Sequence, residues 1–297
     1  MDTIIPQLVI NSLISGSLYA LCSFGLALAY GVLRILNFSH GHLMMLGAYF
    51  FYSFSVLLKL SIILSAFLTS ISLIIVSIIS LKLFIIPFKK YNFILTLVTT
   101  LSLATILESL VSIFYGVNVK SISVSNFDSY NFFNLIFITK IQIVIILSSI
   151  IILSSLAFII HKSSVGRIVR GLSENSELSE SIGINSNKYT YIIYTVGVLI
   201  AGFAGIMIAF ESSMQPTMGN NYTIKAFAAM ILGGLGNLWG TIIGSYLLGF
   251  VENFAIGLDF KGFSIPAGYK DAFAYTIILL VLLFKPTGLF NSKKRSA

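Results

Sequence analysis

Charged residues are scarce in this chain of 297 residues, in which lysine, arginine, aspartate and glutamate together make up 9%. Soluble domains contain about 25% charged residues, so the composition excludes an ordinary soluble protein. Apolar residues make up 57% of the chain and occur in repeated long runs, which predicts several membrane spans. Little sequence remains outside these runs, so we expect an all-α, polytopic integral membrane protein in which residues 1–297 form a single transmembrane domain.

The sequence also lacks motifs for disulfide formation, metal binding and catalysis. Cys22 is the only cysteine, which excludes an intrachain disulfide and a cysteine metal cluster. His40 and His42 have no third ligand nearby, so packing is favoured over metal binding. Without a nucleophile elbow or a His-Glu-x-x-His motif, we expect no catalytic, cofactor or metal site. Asp2 without a basic neighbour argues against a cleaved signal peptide.

Uncharged runs predict about eight full spans and one half-helix. The net charge of +8 comes from basic residues scattered at the ends of these runs, which favours membrane topology over nucleic-acid binding. With the C-terminus in the cytoplasm and the N-terminus outside, twelve basic residues lie inside and six outside. The predicted spans are 8–30, 42–58, 60–81, 91–114, 141–160, 189–210, a glycine-broken run over 226–251, and 272–284.

One polar segment, residues 161–188, separates two of the predicted spans. It is basic, which favours the cytoplasmic side. Its middle, 173–184, predicts a short helix with Ser173 as N-cap and with Leu178 and Ile182 on one face. A short helix held in water by a membrane protein is suited to binding a soluble partner, although an ordinary solvated loop is the alternative.

Polar residues inside the apolar regions are candidates for a translocation path. After the first span, Asn37, Ser39, His40 and Gly41 can satisfy freed backbone groups at depth, but an interfacial loop is the simpler explanation. Glu108 and Glu252 fall inside predicted spans. An ionised group at mid-bilayer costs about 3 kcal/mol, so each acid must face protein or water. They either line an outer vestibule, where they meet a substrate ammonium, or make structural hydrogen bonds.

A glycine-rich stretch interrupts the run over 226–251. Gly233, Gly234 and Gly236 lack the lysine of a phosphate loop, and Trp239 occupies the last glycine position of a dinucleotide motif. We expect instead a broken helix near the bilayer interior, which either lines a substrate path or allows close helix packing.

The order of these motifs resembles a known family, the permease subunits of branched-chain amino-acid ABC importers of the LivH type. The resemblance covers nearly the whole chain. It rests on Leu-Tyr-Ala-Leu at 18–21, Tyr-Gly-Val at 30–32 and Asn-Phe-Ser-His-Gly at 37–41. It continues with Gly166 and Arg167 in the polar segment, Ile-Leu-Gly-Gly-Leu-Gly at 231–236, and Lys-Pro-Thr-Gly-Leu-Phe at 285–290.

The resemblance implies an ABC importer permease fold that forms half of a path for branched-chain or related amino acids across the bacterial cytoplasmic membrane. It implies a second homologous permease, two ATP-binding subunits that bind the ATP, and an extracytoplasmic substrate-binding protein. This chain would then be no enzyme and hold no cofactor. Residues 161–188 become the cytoplasmic coupling loop, with the ATPase contacts at Arg167, Arg170, Glu174, Asn175, Glu177, Leu178, Ile182 and Gly183.

Three alternatives remain open. Related permeases carry urea or short amides, so the resemblance does not fix the substrate. A self-sufficient secondary transporter would need a coupling-ion site, for which Glu108 and Glu252 are the only buried candidates. An intramembrane enzyme is disfavoured because the sequence has no catalytic pair.

Overall fold

A computed structural model describes residues 4–89, 91–122, 129–132, 136–257, 266–285 and 287–290, which fold into a helical bundle with one small β-hairpin. The all-α, multi-pass expectation is confirmed. The helices are α1 (Ile5–Leu33), α2 (His40–Tyr52), α3 (Ile62–Ser80), α4 (Ile86–Lys89), α5 (Phe93–Tyr115), α6 (Lys140–Lys162), α7 (Ser164–Glu174), α8 (Ser176–Ser181), α9 (Ser186–Glu211), α10 (Met218–Gly233), α11 (Leu238–Gly257) and α12 (Lys270–Phe284).

Five helical stretches in the described chain are long and apolar enough to cross a membrane, and the bent pair α10 and α11 makes a sixth. They are α1, the continuous stretch Ile62–Lys89, α5, α6 and α9. Two further helices fall outside this set: α2, whose 13 residues continue into a π-helical stretch at Ser53–Leu57, and α12, which has 15 residues and is shorter than a full crossing. About eight full spans and one half-helix were expected, so the helix count agrees only approximately.

The centre of the bundle is α1, which contacts α6, α9, α10 and α11. Its most apolar stretch is 89% buried, against 22% for the corresponding stretch of α6. Glycines let the central helices touch: a Cβ at Gly25 would lie 2.4 Å from the carbonyl oxygen of Gly197, and one at Gly47 would lie 2.6 Å from the Cα of Gly202. Such contacts between small residues hold membrane helices together where burial of apolar surface gives no advantage over lipid.

The β-hairpin was not predicted. Its strands, β1 (Ser129–Phe132) and β2 (Ile136–Thr139), pair antiparallel within the connection from α5 to α6. Gln7 in the first turn of α1 holds β2, since its amide accepts from the Phe137 N–H at 2.8 Å and donates to the Phe137 carbonyl at 3.2 Å. The hairpin therefore lies at the end of the bundle where α1 begins.

The polar segment contains two helices, so the prediction of one helix over 173–184 with Ser173 as N-cap was wrong. Ser173 lies in the last turn of α7, and the backbone is extended at Asn175. Asn175 is the N-cap of α8, because its Oδ1 accepts from the N–H groups of Glu177 and Leu178. The flanking helices also extend to Lys162 and from Ser186, so the connection is shorter than 161–188.

The break in the glycine-rich run is present. Helices α10 and α11 meet at 118° across residues 234–237. Helix α10 starts at Met218, about two turns before the predicted run, and ends at Gly233, where the turn begins. The turn lies against the chain at 287–290, where the N–H of Leu289 donates to the carbonyl of Leu232 at 2.8 Å. The segment 258–265 that follows α11, and the basic C-terminus at 293–295, lie outside the described residues.

Candidate functional site

The connection between α1 and α2 is a non-helical segment held inside the bundle. Arg34 ends α1 in a left-handed conformation with φ of 56°. Asn37 then organises the turn: its Oδ1 accepts from the backbone N–H and hydroxyl of Ser39, and its Nδ2 donates to the hydroxyl of Tyr194 at 3.3 Å. Asn37 and Ser39 are buried, as expected for side chains that satisfy a turn at membrane depth.

His40 and Gly41 fix the start of α2. His40 is buried, and its Nε2 lies 3.0 Å from the carbonyl oxygen of Cys22, which agrees with a packing role. The N–H of Gly41 donates to the hydroxyl of Thr223 at 3.0 Å. A Cβ at Gly41 would lie 2.2 Å from the carbonyl oxygen of Gly219, so a side chain there would push α10 away from α2.

Glu108 on α5 lies in a cluster with side chains of two other helices. Its Oε2 is 3.3 Å from Nε2 of His42 on α2 and accepts from Nδ2 of Asn220 on α10 at 3.0 Å. His42 is 1% exposed, whereas Glu108 is 27% exposed. One oxygen of the carboxylate is thus held by the bundle, and the other has no partner among the described side chains.

The same side of α5 carries a row of hydroxyl groups. Ser102, Thr105 and Ser109 are exposed, and Ser112, partly exposed, continues the row. Their spacing of three and four residues places them on one face beside Glu108. Asn220 and Asn221, at the start of α10, are exposed next to this face. An ionised group facing hydrocarbon is costly, so this face must meet water or another protein.

Glu252 on α11 belongs to a second cluster, in which its own carboxylate is fully buried and Lys270 and Asp271 are partly exposed. It is 0% exposed, and its Oε2 accepts from the Tyr19 hydroxyl at 2.6 Å and lies 3.3 Å from Nζ of Lys225. Lys225 also pairs with Asp271 at 2.9 Å, and Lys270 lies 3.8 Å from Glu252. Two acids and two bases balance each other here, and they join α1, α10, α11 and α12. The structure places Glu252 in a different cluster from Glu108.

Helix α7 has one buried face, made by Gly166, Val169 and Leu172, and one polar face. Arg167 and Arg170 are exposed on the polar face. Nη1 of Arg170 donates to the carbonyls of Ile160 and His161, the last turns of α6. The helix therefore lies across the end of the bundle.

Helix α8 presents its apolar residues to solvent. Leu178 is 66% exposed and Ile182, the residue after the helix, is 78% exposed. Gly183 has φ of +89° and turns the chain towards α9. Glu177 and Glu180 lie on α8, whereas Glu174 is the last residue of α7, so these three acids do not share one helix.

The three glycines lie at the turn between α10 and α11. A Cβ at Gly233 would lie 2.2 Å from the backbone of Gly240, and one at Gly234 would lie 3.2 Å from the carbonyl of Thr287. Gly234 and Gly236 have φ of +103° and +85°, which favours glycine. The turn and α7 line one crevice, so the glycines belong to the end of the bundle that carries the polar segment.

Sequence reasoning missed the partners of both acids. Lys225 directly precedes the predicted run over 226–251, but it lies buried in the second turn of α10 and not in a loop. Asn220, Tyr19 and Asp271 gave no signal of their own. The excess of basic over acidic residues was the signal in the sequence that could have indicated such partners, because buried acids need nearby cations.

Comparisons with known proteins agree with this architecture. The family model described as "Branched-chain amino acid transport system / permease component" matches residues 8–282. The high-affinity branched-chain amino acid transport system permease protein BraD of Pseudomonas aeruginosa is 29% identical over 300 residues, which cover 96% of this chain and 95% of the relative. LivH of Escherichia coli K12, which carries the same description, is 27% identical over the same shares.

A shorter match joins the chain to the ribose import permease protein RbsC of Escherichia coli K12, with 37% identity over 133 residues, 42% of this chain and 40% of the relative. Among solved structures, PsaBC from Streptococcus pneumoniae in complex with Fab matches with a TM-score of 0.53 and 12% identity. That match covers 96% of this chain and 92% of the solved chain and shows a shared fold.

Proposed function

The chain belongs to the branched-chain amino acid transport permease family, and from this premise we propose that it forms half of the translocation path of an ABC importer for branched-chain amino acids. It is a multi-pass permease of the inner membrane, and its family works with ATPase and binding-protein partners. We propose further that the partners are one homologous permease and two ATP-binding subunits, which bind the ATP that this chain does not bind.

The orientation follows from charge. The exposed bases of the polar segment, among them Arg167, Arg170 and Lys188, favour the cytoplasm. Gln7 and β2 then lie at the outer end of the bundle with the N-terminus, and α7 and α8 lie at the inner end. In this orientation, the exposed side chains of Leu178 and Ile182 would enter a groove on the ATPase.

The face of α5 that carries Glu108 is the observation that supports a path for amino acids. A branched-chain amino acid is a zwitterion: its ammonium group pairs with a carboxylate, its own carboxylate needs a hydrogen-bond donor, and its aliphatic side chain needs no polar partner. Glu108 offers a carboxylate oxygen with no partner among the described groups, on a face otherwise made of hydroxyls and apolar side chains. A neutral amide or urea would gain less from this carboxylate, which makes amino acids the better match.

Replacing Glu108 by glutamine tests this role. The amide keeps the size of the side chain and can still bond Asn220, but it removes the charge that meets the ammonium. Hydrogen bonds to charged groups contribute about 1.5–3 kcal/mol, so we expect leucine uptake to fall at least about tenfold in the reconstituted importer. ATP hydrolysis stimulated by the binding protein should persist, because the described side-chain partners of Glu108 lie on α2 and α10 and not on α7 or α8.

The matched control is Glu211→Gln. Glu211 is also a partly buried carboxylate at the edge of the bundle, and it accepts from Nε2 of Gln142 at 2.9 Å. Uptake by this control should stay close to the wild-type rate. Wild-type uptake by Glu108→Gln, or an equal loss in both variants, contradicts the role of Glu108.

A further inference from the structure

A crevice opens between α6 and α11 at the end of the bundle that carries α7. Helix α1 lines it with the small residues Ala27 and Gly31, which leave space, and α7 also contributes to the lining. A Cβ at Gly31 would meet no atom within 4 Å, so the space next to this glycine is open. The crevice holds about 310 Å³, within the range of small-molecule sites.

The crevice is lined by apolar residues and by basic residues. Leu28, Val32, Ala157 and Val169 make most of the wall apolar. Two basic residues, His161 and Arg170, lie next to each other in the lining, where Nη1 of Arg170 donates to the carbonyl of His161. The two bonds of Arg170 to carbonyls of α6 engage Nη1 alone, so its other guanidinium nitrogens have no partner among the described groups.

Trp239 indicates where the crevice lies relative to the membrane surface. It is the only tryptophan of the chain, it is 55% exposed, and it lines the opening. Tryptophan prefers the boundary between hydrocarbon and headgroups. Apolar walls, a tryptophan at the rim and arginine at the inner end match a lipid whose acyl chain lies along α1 and whose headgroup meets the bases.

We propose that this crevice binds one phospholipid with an anionic headgroup. The charge of the lining selects the headgroup: Lys162 and Arg167, which are exposed, are close in sequence to His161 and Arg170, and the described residues of the lining include no acid. The bound lipid would join α6, α7 and the turn between α10 and α11. It would thus contact the same helix that leads into the proposed ATPase contact.

Trp239 provides the measurement. The full-length chain is placed in phosphatidylcholine nanodiscs that contain a small fraction of either brominated phosphatidylglycerol or brominated phosphatidylcholine, and quenching of the tryptophan fluorescence is compared. We expect severalfold stronger quenching by the anionic lipid. Arg170→Gln should remove most of that preference, since it removes a charge-assisted contact. Gly31→Met should abolish it by filling the crevice without a backbone clash.

Lys188→Gln is the matched control, because it removes an exposed positive charge outside the crevice, and it should keep the preference. Equal quenching by the two brominated lipids in the wild-type chain overturns the proposal. So does a preference that survives both Arg170→Gln and Gly31→Met, which would reflect general attraction of anionic lipid to a basic surface. The proposal is also overturned if the Gly31→Met variant no longer co-purifies with the second permease, because the crevice would then be a subunit interface. None of these outcomes depends on transport.

Discussion

Changing Leu178 to aspartate is expected to abolish both ATPase binding and amino-acid uptake. Leu178 and Ile182 are large apolar side chains with exposures of 66% and 78% at the end of the bundle that we assign to the cytoplasm. Apolar groups held in water on a short, capped helix are suited to a groove on a partner, where they would be desolvated. A charge at the centre of such a contact would have to be buried without a counter-ion, which is costly.

Ser176→Asp is the control for this experiment. It adds the same charge to α8 on the side away from Leu178, in the first turn, where a negative charge favours the helix. Co-purification with the ATPase subunits and uptake should both persist in the control and be lost in Leu178→Asp, while both variants still insert. If Leu178→Asp binds the ATPases and transports normally, α8 is not the coupling element.

Replacing Lys225 by methionine is expected to destabilise the bundle strongly. Lys225 pairs with Glu252 and Asp271 and donates to the Tyr19 hydroxyl at 3.0 Å. Without it, the fully buried carboxylate of Glu252 keeps only Tyr19 and the more distant Lys270. Removing one partner of a buried ion pair typically costs about 3–5 kcal/mol. For a chain of this size, the midpoint of thermal unfolding should fall on the order of 10 °C.

Cys22 reports that unfolding. It is the only cysteine and is buried, so a thiol-reactive dye labels it when the bundle opens. Lys225→Met should label at the lower temperature, and the pair Lys225→Met with Glu252→Gln should recover part of the loss. Lys188→Met, at an exposed site, should match the wild type. Unchanged labelling of Lys225→Met would show that the cluster contributes little to stability.

Hydropathy predicted most of the helices because the lipid requires it. A run such as 141–160 has no alternative to a helix when no water can satisfy its backbone, and α6 is found there with about one more residue at the start and two at the end. The connection at 34–39 could also be predicted from the sequence, since Asn and Ser side chains such as Asn37 and Ser39 form hydrogen bonds with the local backbone. Periodicity and composition therefore gave the spans and one buried turn.

Pairings between residues far apart in the chain could not be predicted from the sequence. Lys225 lies 27 residues from Glu252 in the chain, and the sequence alone does not tell whether a lysine at the edge of an apolar run lies in water or inside the bundle. Ser173 and Asn175 are both good N-cap residues, and the choice between them depended on how α7 packs through Val169 and Leu172. The β-hairpin likewise depends on Gln7, about 130 residues earlier in the chain.

The most direct test of the account is leucine uptake by proteoliposomes that contain this chain, its partner permease, the ATPase subunits and the binding protein. We expect uptake only when ATP is supplied to the side of the ATPases, and no uptake when the binding protein is omitted. A proton or sodium gradient without ATP should drive none. Uptake driven by such a gradient with this chain alone would contradict the account, because the protein would then be a self-sufficient secondary transporter.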